Sequence, residues 1–394
     1  MNFQNNIIFS IDKSKEKTHY IITILGIKLK LRIKGKKKSF KKETFFIKTF
    51  QNKIKNNNNN SVLIVELNVF HREIMPGFVK YFQDLGYSID ILTVESNDNS
   101  TVFCRYNDAN VRIFTANPET IRFILKSKKI LKSYNYIFVN SYSIFRTDIS
   151  IHDFLKYVPI KANCINKWVF VCHDTNAINK KISTRNKFIS LADNNLNLPI
   201  VNPNYFGNVK ITEKNNTCIF LLLGDNNKTF DFIKGCILNL LKDGYTNFKV
   251  YVTGRKIHEE LSNLDSNCIE YLGYVDFEKL YDIVEQSDFL IANLMESDSS
   301  HDWYINNGTS GIFQLCYGFV KPMIIVEKFA KKALVDEQSS IVYKNDTNLT
   351  KALKEAINMN EITYRNMQQS ILCIKENLYK KSLVNLRKIL ERNL

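Results

Sequence analysis

Several features are missing from this chain, and each absence narrows what it does. No apolar run approaches about 18 residues, the length a membrane-spanning helix requires, so no segment is expected to cross a bilayer. The first apolar segment precedes the Lys and Arg around it, the reverse of a secretory signal, which places the chain on the cytoplasmic side. Eight cysteines stand at positions 104, 164, 172, 218, 236, 268, 316 and 373, with no Cys-x-x-Cys among them. Several fall inside apolar strand or helix patterns, so they read as reduced core residues, and structural zinc is not expected. No Asp-x-Asp occurs either, so a chelating carboxylate pair of that spacing is absent.

The 394 residues are 44% hydrophobic, enough for two or three domains with real cores. The formal charge of +16 is uneven: residues 1–60 hold 15 Lys and Arg against Asp12, Glu16 and Glu43, a net +12. The remaining body is nearly balanced, which argues against a nucleic-acid partner. Within 1–60, Tyr20 to Ile33 alternates apolar and basic residues, lysines run from Lys34 to Lys42, and Asn56 to Asn60 form a low-complexity linker. This basic N-terminal extension suits an anionic membrane surface, where each cation contributes about 1 kcal/mol. A solvated basic tail fits it equally well.

Residues 61–205 read as a first α/β domain. Val62 to Leu67 is a buried strand and Pro76 opens a helix, which Gly86 ends before the strand Tyr87 to Val94. His71 and Glu73 lie in the loop after the first strand's carboxyl end, the edge where open α/β sheets bind ligands. Tyr136 to Asn140 and Trp168 to Cys172 are further strands, and the latter runs into His173 and Asp174, again at that edge. Each of these polar groups also fits a hydrogen-bonded loop residue without further role. From Lys180 to Val209 the apolar period weakens while Asn and Pro accumulate, which reads as the crossing between domains.

Residues 206–360 repeat the pattern. The strand Ile219 to Leu223 leads through Gly224 to Lys228 and a helix closed by Gly244, and the strand Phe248 to Thr253 is followed by Gly254 and Arg255. Asp276 stands where an N-cap belongs, ahead of Phe277, Leu280, Tyr281 and Val284 at helical spacing. Phe289 to Leu294 is a continuous apolar run, as in a parallel strand covered on both faces. Gly308-Thr309-Ser310-Gly311 opens a second helix with Ile312, Leu315, Cys316 and Phe319 on one face, punctuated by Gly318 and stopping before Pro322, and Met323 to Val326 is another buried strand. Small residues at a helix start let free N–H groups and the helix dipole approach an anion, and Gln314, one turn in, shares the face of Ser310. The same residues fit a capped surface helix. From Glu361 the chain reads as one amphipathic helix region, either packed back on the first domain or facing a membrane.

The stretch Gly273 to Ala330 resembles the nucleotide-sugar half of a GT-B glycosyltransferase of the kind used in bacterial surface polysaccharide synthesis. The carriers are the Gly-Thr-Ser-Gly helix start, Gln314 within that helix and the Gly-x-x-x-Pro of Gly318 to Pro322. Residues 1–60, with a run ending in Leu-Gly-Ile-Lys, are similar to the leader of many such transferases. The resemblance implies two Rossmann-like domains facing a cleft and transfer from a nucleotide-sugar to a glycan or lipid-linked acceptor. It places Gly308, Thr309, Ser310 and Gly311 on the donor phosphates and Gln314 on the ribose, with Lys228 and Arg255 as candidate phosphate cations and Tyr274 beside the nucleobase. It also puts the acceptor loop with His71 and Glu73 in the first domain. No cofactor or metal is expected, with protein cations in a metal's place. The two glutamates carried by many retaining members correspond to Ile305 and Phe313, so stereochemistry stays open. A GT-B nucleotide-sugar epimerase and a non-enzymatic adaptor acting through the basic extension are the other readings.

Overall fold

The computed structural model describes residues 7–13, 19–24, 27–32, 46–52, 60–67, 71–94, 101–106, 111–142, 166–177, 187–224, 227–254 and 268–392. They form two compact units. One comprises residues 1–191, 196–207 and 382–394, the other residues 192–195 and 208–381.

The first unit is built on one sheet. Its strands are β1 (Ile7–Lys13), β2 (His19–Ile24), β3 (Ile27–Arg32), β4 (Ser61–Glu66), β5 (Ser88–Val94), β6 (Val111–Ala116), β7 (Tyr136–Val139), β8 (Trp168–Cys172) and β9 (Lys187–Ser190), in the order β3-β2-β1-β6-β5-β4-β7-β8-β9. From β6 to β9 every pairing is parallel, while β1 joins β6 in parallel and carries β2 and β3 antiparallel beyond it. Strands β1, β2 and β3, set apart from the domain in the sequence reading, thus extend its sheet. A helical segment at 46–52 places Phe46 and Phe50 in the core, where Phe50 meets the Phe114 ring edge-on at 4.7 Å. Helix α1 (Met75–Asp84) carries Pro76 in its first turn and buries Phe78, Val79, Tyr81 and Phe82. Across β5 and β6, Arg112 grips the buried Asp90 carboxylate through two bonds of 2.7 and 2.9 Å, and the Tyr134 hydroxyl donates to the same carboxylate.

The chain does pass from the first unit to the second within 180–209, but that stretch is not only a connection. The stretch read as a crossing holds β9, sixth in the parallel run, where Lys187 is buried with its ammonium donating to the Leu390 carbonyl at 2.6 Å over the Tyr136 ring. A lysine at a core position breaks the apolar pattern, and the carbonyl that satisfies it lies far away in sequence.

The second unit holds a six-stranded, wholly parallel sheet: β10 (Cys218–Leu223), β11 (Phe248–Thr253), β12 (Ile269–Gly273), β13 (Phe289–Ile291), β14 (Met323–Val326) and β15 (Ile341–Tyr343), in the order β12-β11-β10-β13-β14-β15. Its helices include α2 (Asn227–Lys242), α3 (Phe277–Gln286), α4 (Asp302–Asn306), α5 (Gly311–Phe319), α6 (Leu349–Asn358) and α7 (Glu361–Glu391). Asp276 caps α3 by accepting from the Lys279 N–H at 2.9 Å. The buried Asp288 carboxylate accepts from the Ile219 and Asn215 N–H groups at the start of the sheet. Helix α7 is 31 residues long; it belongs to the second unit through Lys381 and to the first from Ser382, where Ser382 Oγ accepts from the Asn202 N–H. No helix among the described residues is long and apolar enough to cross a membrane.

Helix α5 differs from its expectation of one apolar face punctuated by Gly318. Every residue from Ile312 to Phe319 is buried, and Gly318 continues the helix. The turn ends on Val320 in the left-handed region (φ 55°) before Pro322.

Candidate active site

Each unit carries the order 3-2-1-4-5-6 in its parallel strands, with successive connections turning opposite ways on either side of the first strand. In such sheets the crevice outside the carboxyl ends at that switch point is where ligands bind. In the first unit the switch lies between β4 and β7, and in the second between β10 and β13.

At the first switch point the side chains gather closely. Glu66, the last residue of β4, is fully buried, and its Oε2 accepts from Asn140 Nδ2 at 2.5 Å and Ser141 Oγ at 2.8 Å, both just past β7. Asn140 Nδ2 also donates to the His71 carbonyl at 3.0 Å, and the Asn140 carbonyl meets His173 Nε2 at 2.8 Å. His71 sits in the left-handed backbone region (φ 63°), uncommon for a residue with a side chain. Its ring stacks on that of His173 at 4.1 Å, and its Nδ1 faces Glu73 Oε1 at 3.8 Å. The three residues proposed from sequence, His71, Glu73 and His173, are therefore one cluster. Glu66, Asn140 and Ser141 were missed; the only trace each leaves is a polar residue closing an apolar strand.

The two imidazoles are pushed opposite ways. Burial, which disfavours the imidazolium, acts on His71 but is outweighed by the Glu73 carboxylate and by Glu66, so His71 lies above its ordinary value. Burial and then the charge on His71 hold His173 well below its ordinary value, against the opposing bond to Asn140. The charged form is thus favoured on one ring of the pair and the neutral form on the other.

At the second switch point the carboxyl ends of β10, β11 and β12 all run into glycine. The Gly224 N–H donates to Thr253 O, and the Gly254 N–H to Gly273 O, each at 3.1 Å. Gly224 has φ 130°, and a Cβ there would lie 2.6 Å from Asn293 Nδ2, so both conformation and space require glycine. Asn293, just past β13, donates to Leu223 O at 3.3 Å while its buried Oδ1 has no partner.

The loop from β13 to α5 is held at several points. His301 Nδ1 accepts from the Met295 N–H at 2.8 Å, Asp346 accepts from the Glu296 and Ser297 N–H groups at 3.0 Å each, and Lys328 pairs with Asp302 at 2.6 Å. Trp303 packs so tightly on Gly308 that a Cβ there would lie 2.1 Å from the indole. The loop delivers Gly308, Thr309 and Ser310 to the start of α5, whose N-cap Ser310 makes no side-chain cap bond. One turn in, Gln314 is buried and neither its Oε1 nor its Nε2 has a partner. A buried primary amide with no hydrogen bond costs about 1–3 kcal/mol, a cost that a water or a ligand reaching it offsets.

Tyr274 is 68% exposed just past β12. Arg255 lies outside the described residues, as does the Lys228 side chain. Among the described residues no three His, Cys, Asp or Glu form a metal-binding group.

No family model matches the sequence, and no curated protein matches it. Solved structures share its fold. A glycosyltransferase from Rickettsia africae ESF-5 is 14% identical over 85% of this chain and 100% of its own, with a TM-score of 0.54. Anabaena Alr3699/HepE in complex with UDP-glucose is 9% identical over 84% and 99%, with a TM-score of 0.53. AviGT4, a glycosyltransferase involved in avilamycin A biosynthesis, is 8% identical over 85% and 99%, with a TM-score of 0.50.

Proposed function

We propose that this chain, whose fold is GT-B, is a glycosyltransferase that moves a sugar from a nucleotide-sugar to a glycan or lipid-linked glycan acceptor in surface polysaccharide synthesis. The observation that carries the reading is Gln314: a buried amide with four unused hydrogen-bonding positions, one turn behind a Gly-Thr-Ser-Gly helix start. The second unit takes the donor. Gly308 to Gly311 and the dipole of α5 receive the diphosphate, Gln314 receives the ribose hydroxyls, and Tyr274 lies beside the base. Lys228 and Arg255 are the proposed cations for the charge that develops on the departing nucleoside diphosphate, so the mechanism calls on no metal. HepE holds UDP-glucose, which makes a UDP-sugar the first donor to try.

The first unit supplies the proton acceptor. As the acceptor hydroxyl attacks the anomeric carbon, a base from the cluster of Glu73, His71 and His173 takes its proton. Such a reaction uses cytoplasmic nucleotide-sugars, and the net +12 of residues 1–60 suits the anionic inner membrane surface where a lipid-linked acceptor resides.

The test is to incubate the full chain with UDP-, GDP-, CMP- and dTDP-sugars, with and without glycan acceptors, and to follow free nucleotide and donor isomers. Acceptor-stimulated nucleotide release from one donor supports the transferase. An isomerised donor without nucleotide release assigns the chain to the epimerases, and no consumption of any donor contradicts both.

A further inference from the structure

We infer that Asn140 is a positioning residue that selects the tautomer of His173, holding the hydrogen on Nε2 and leaving Nδ1 as the atom that takes the acceptor's proton. A carbonyl oxygen only accepts, so the 2.8 Å contact between His173 Nε2 and the Asn140 carbonyl requires a hydrogen on Nε2. The Ser141 hydroxyl, 3.5 Å from the same nitrogen, cannot reverse that assignment, because it donates to Glu66 at 2.8 Å and turns only lone pairs toward His173. A neutral imidazole carries one hydrogen, so Nδ1 bears the lone pair, and it has no partner among the described residues.

That carbonyl is a main-chain group: the Asn140 N–H donates to Val65 O at 3.0 Å, and the Asn140 side chain ties the residue further. Its Nδ2 hydrogens go to Glu66 Oε2 and to the His71 carbonyl, so one residue ties the end of β4, the left-handed turn at His71 and the ring of His173. The same ties separate the roles of the cluster. Glu73 Oε1 lies 3.8 Å from His71 Nδ1, and both Glu73 and Glu66 favour the charged form of His71, so these two side chains are directed at each other. His173 is buried against the His71 ring at 4.1 Å, and burial and then the charge on His71 both favour its neutral form.

The step balances on the transferase reading, on which the identity of the proton's source rests. The acceptor O–H proton passes to His173 Nδ1, the oxygen forms a bond to the anomeric carbon, and the bond from that carbon to the diphosphate breaks with its electron pair leaving on the nucleotide. His173 then carries hydrogens on both nitrogens, with Nε2–H still on Asn140.

Long-range 1H–15N imidazole spectra of the 15N-histidine-labelled full chain test this directly. With six histidines in the sequence, signals of His173 and His71 are assigned by their loss in His173→Gln and His71→Gln. The wild type is expected to show His173 at neutral pH with a protonated Nε2 and a bare Nδ1, and Asn140→Ala to convert it to a mixture of tautomers. An Nδ1–H tautomer or an imidazolium at His173 in the wild type overturns the proposal whether or not the variant folds. An unchanged pattern in a folded Asn140→Ala overturns the role of Asn140. The spectra do not depend on turnover, so a chain that consumes no nucleotide-sugar fails the transferase reading while leaving the tautomer result to stand or fall separately.

Discussion

His71 and His173 lie face to face, ring centroids 4.1 Å apart and planes 25° from parallel, although one follows β4 and the other β8. At His71 burial is outweighed by Glu73 and Glu66, which hold it above its ordinary value, while burial and the charge on His71 hold His173 well below, so the two protonate in separate pH ranges. With His173 as the base, kcat/KM stays level as pH falls through about 6.5, the ordinary histidine value, and drops only below it. His173→Asn lowers kcat by about 10²–10⁴-fold with the donor KM retained. A pH–rate profile with its acid limb at or above the ordinary value removes His173 from the role.

The Glu73 carboxylate also makes a stability difference of definite sign. A histidine raised in the folded state contributes stability that is complete below its unfolded value, about 6.5, and is lost as pH rises through the folded value. Wild type is therefore expected to melt above Glu73→Gln at about pH 5.5–6 and to converge with it well above neutrality. A constant difference across that range means that Glu73 acts by packing and not through His71.

Gln314 allows function and stability to be separated. Leaving a buried amide unpaired costs about 1–3 kcal/mol, and an apolar residue of similar length removes that cost. Gln314→Met is expected to leave the ligand-free chain as stable as wild type or more so by urea denaturation. A loss of several kcal/mol would show the amide to be paired.

Gly308→Ala tests the rigid loop. The added methyl meets the Trp303 indole at 2.1–2.7 Å, so the loop or the ring must shift, at about 1–3 kcal/mol. Denaturant melts of this variant against wild type read the cost, and an unchanged midpoint means that Trp303 is free to move.

Much of the fold is legible in the residues alone. Continuous apolar runs mark β4, β8, β10 and β14, Pro76 marks the start of α1, and Asp276 marks the cap of α3, because each depends on neighbours within a few residues. What escapes depends on long-range partners. Lys187 hides β9 because its charge is met by a carbonyl of the last helix, and Glu66 looks like a polar strand end until Asn140 and Ser141 arrive beside it from the next strand. His71, Glu73 and His173 stand out singly at a sheet edge, but their stacking and ion pair exist only in three dimensions. Gln314 reads as lying on the face of Ser310 of an exposed helix, whereas burial on every side of α5 makes it an amide without partners.

The measurement that tests the central claim most directly is a calorimetric titration of the full chain with UDP, GDP, CMP and dTDP, in parallel with Gln314→Met. One nucleotide is predicted to bind the wild type and to bind the folded variant at least about tenfold more weakly, the loss of about 1.4 kcal/mol. Binding of none of the four by wild type, or equal binding by both proteins, would contradict the donor site described for the second unit.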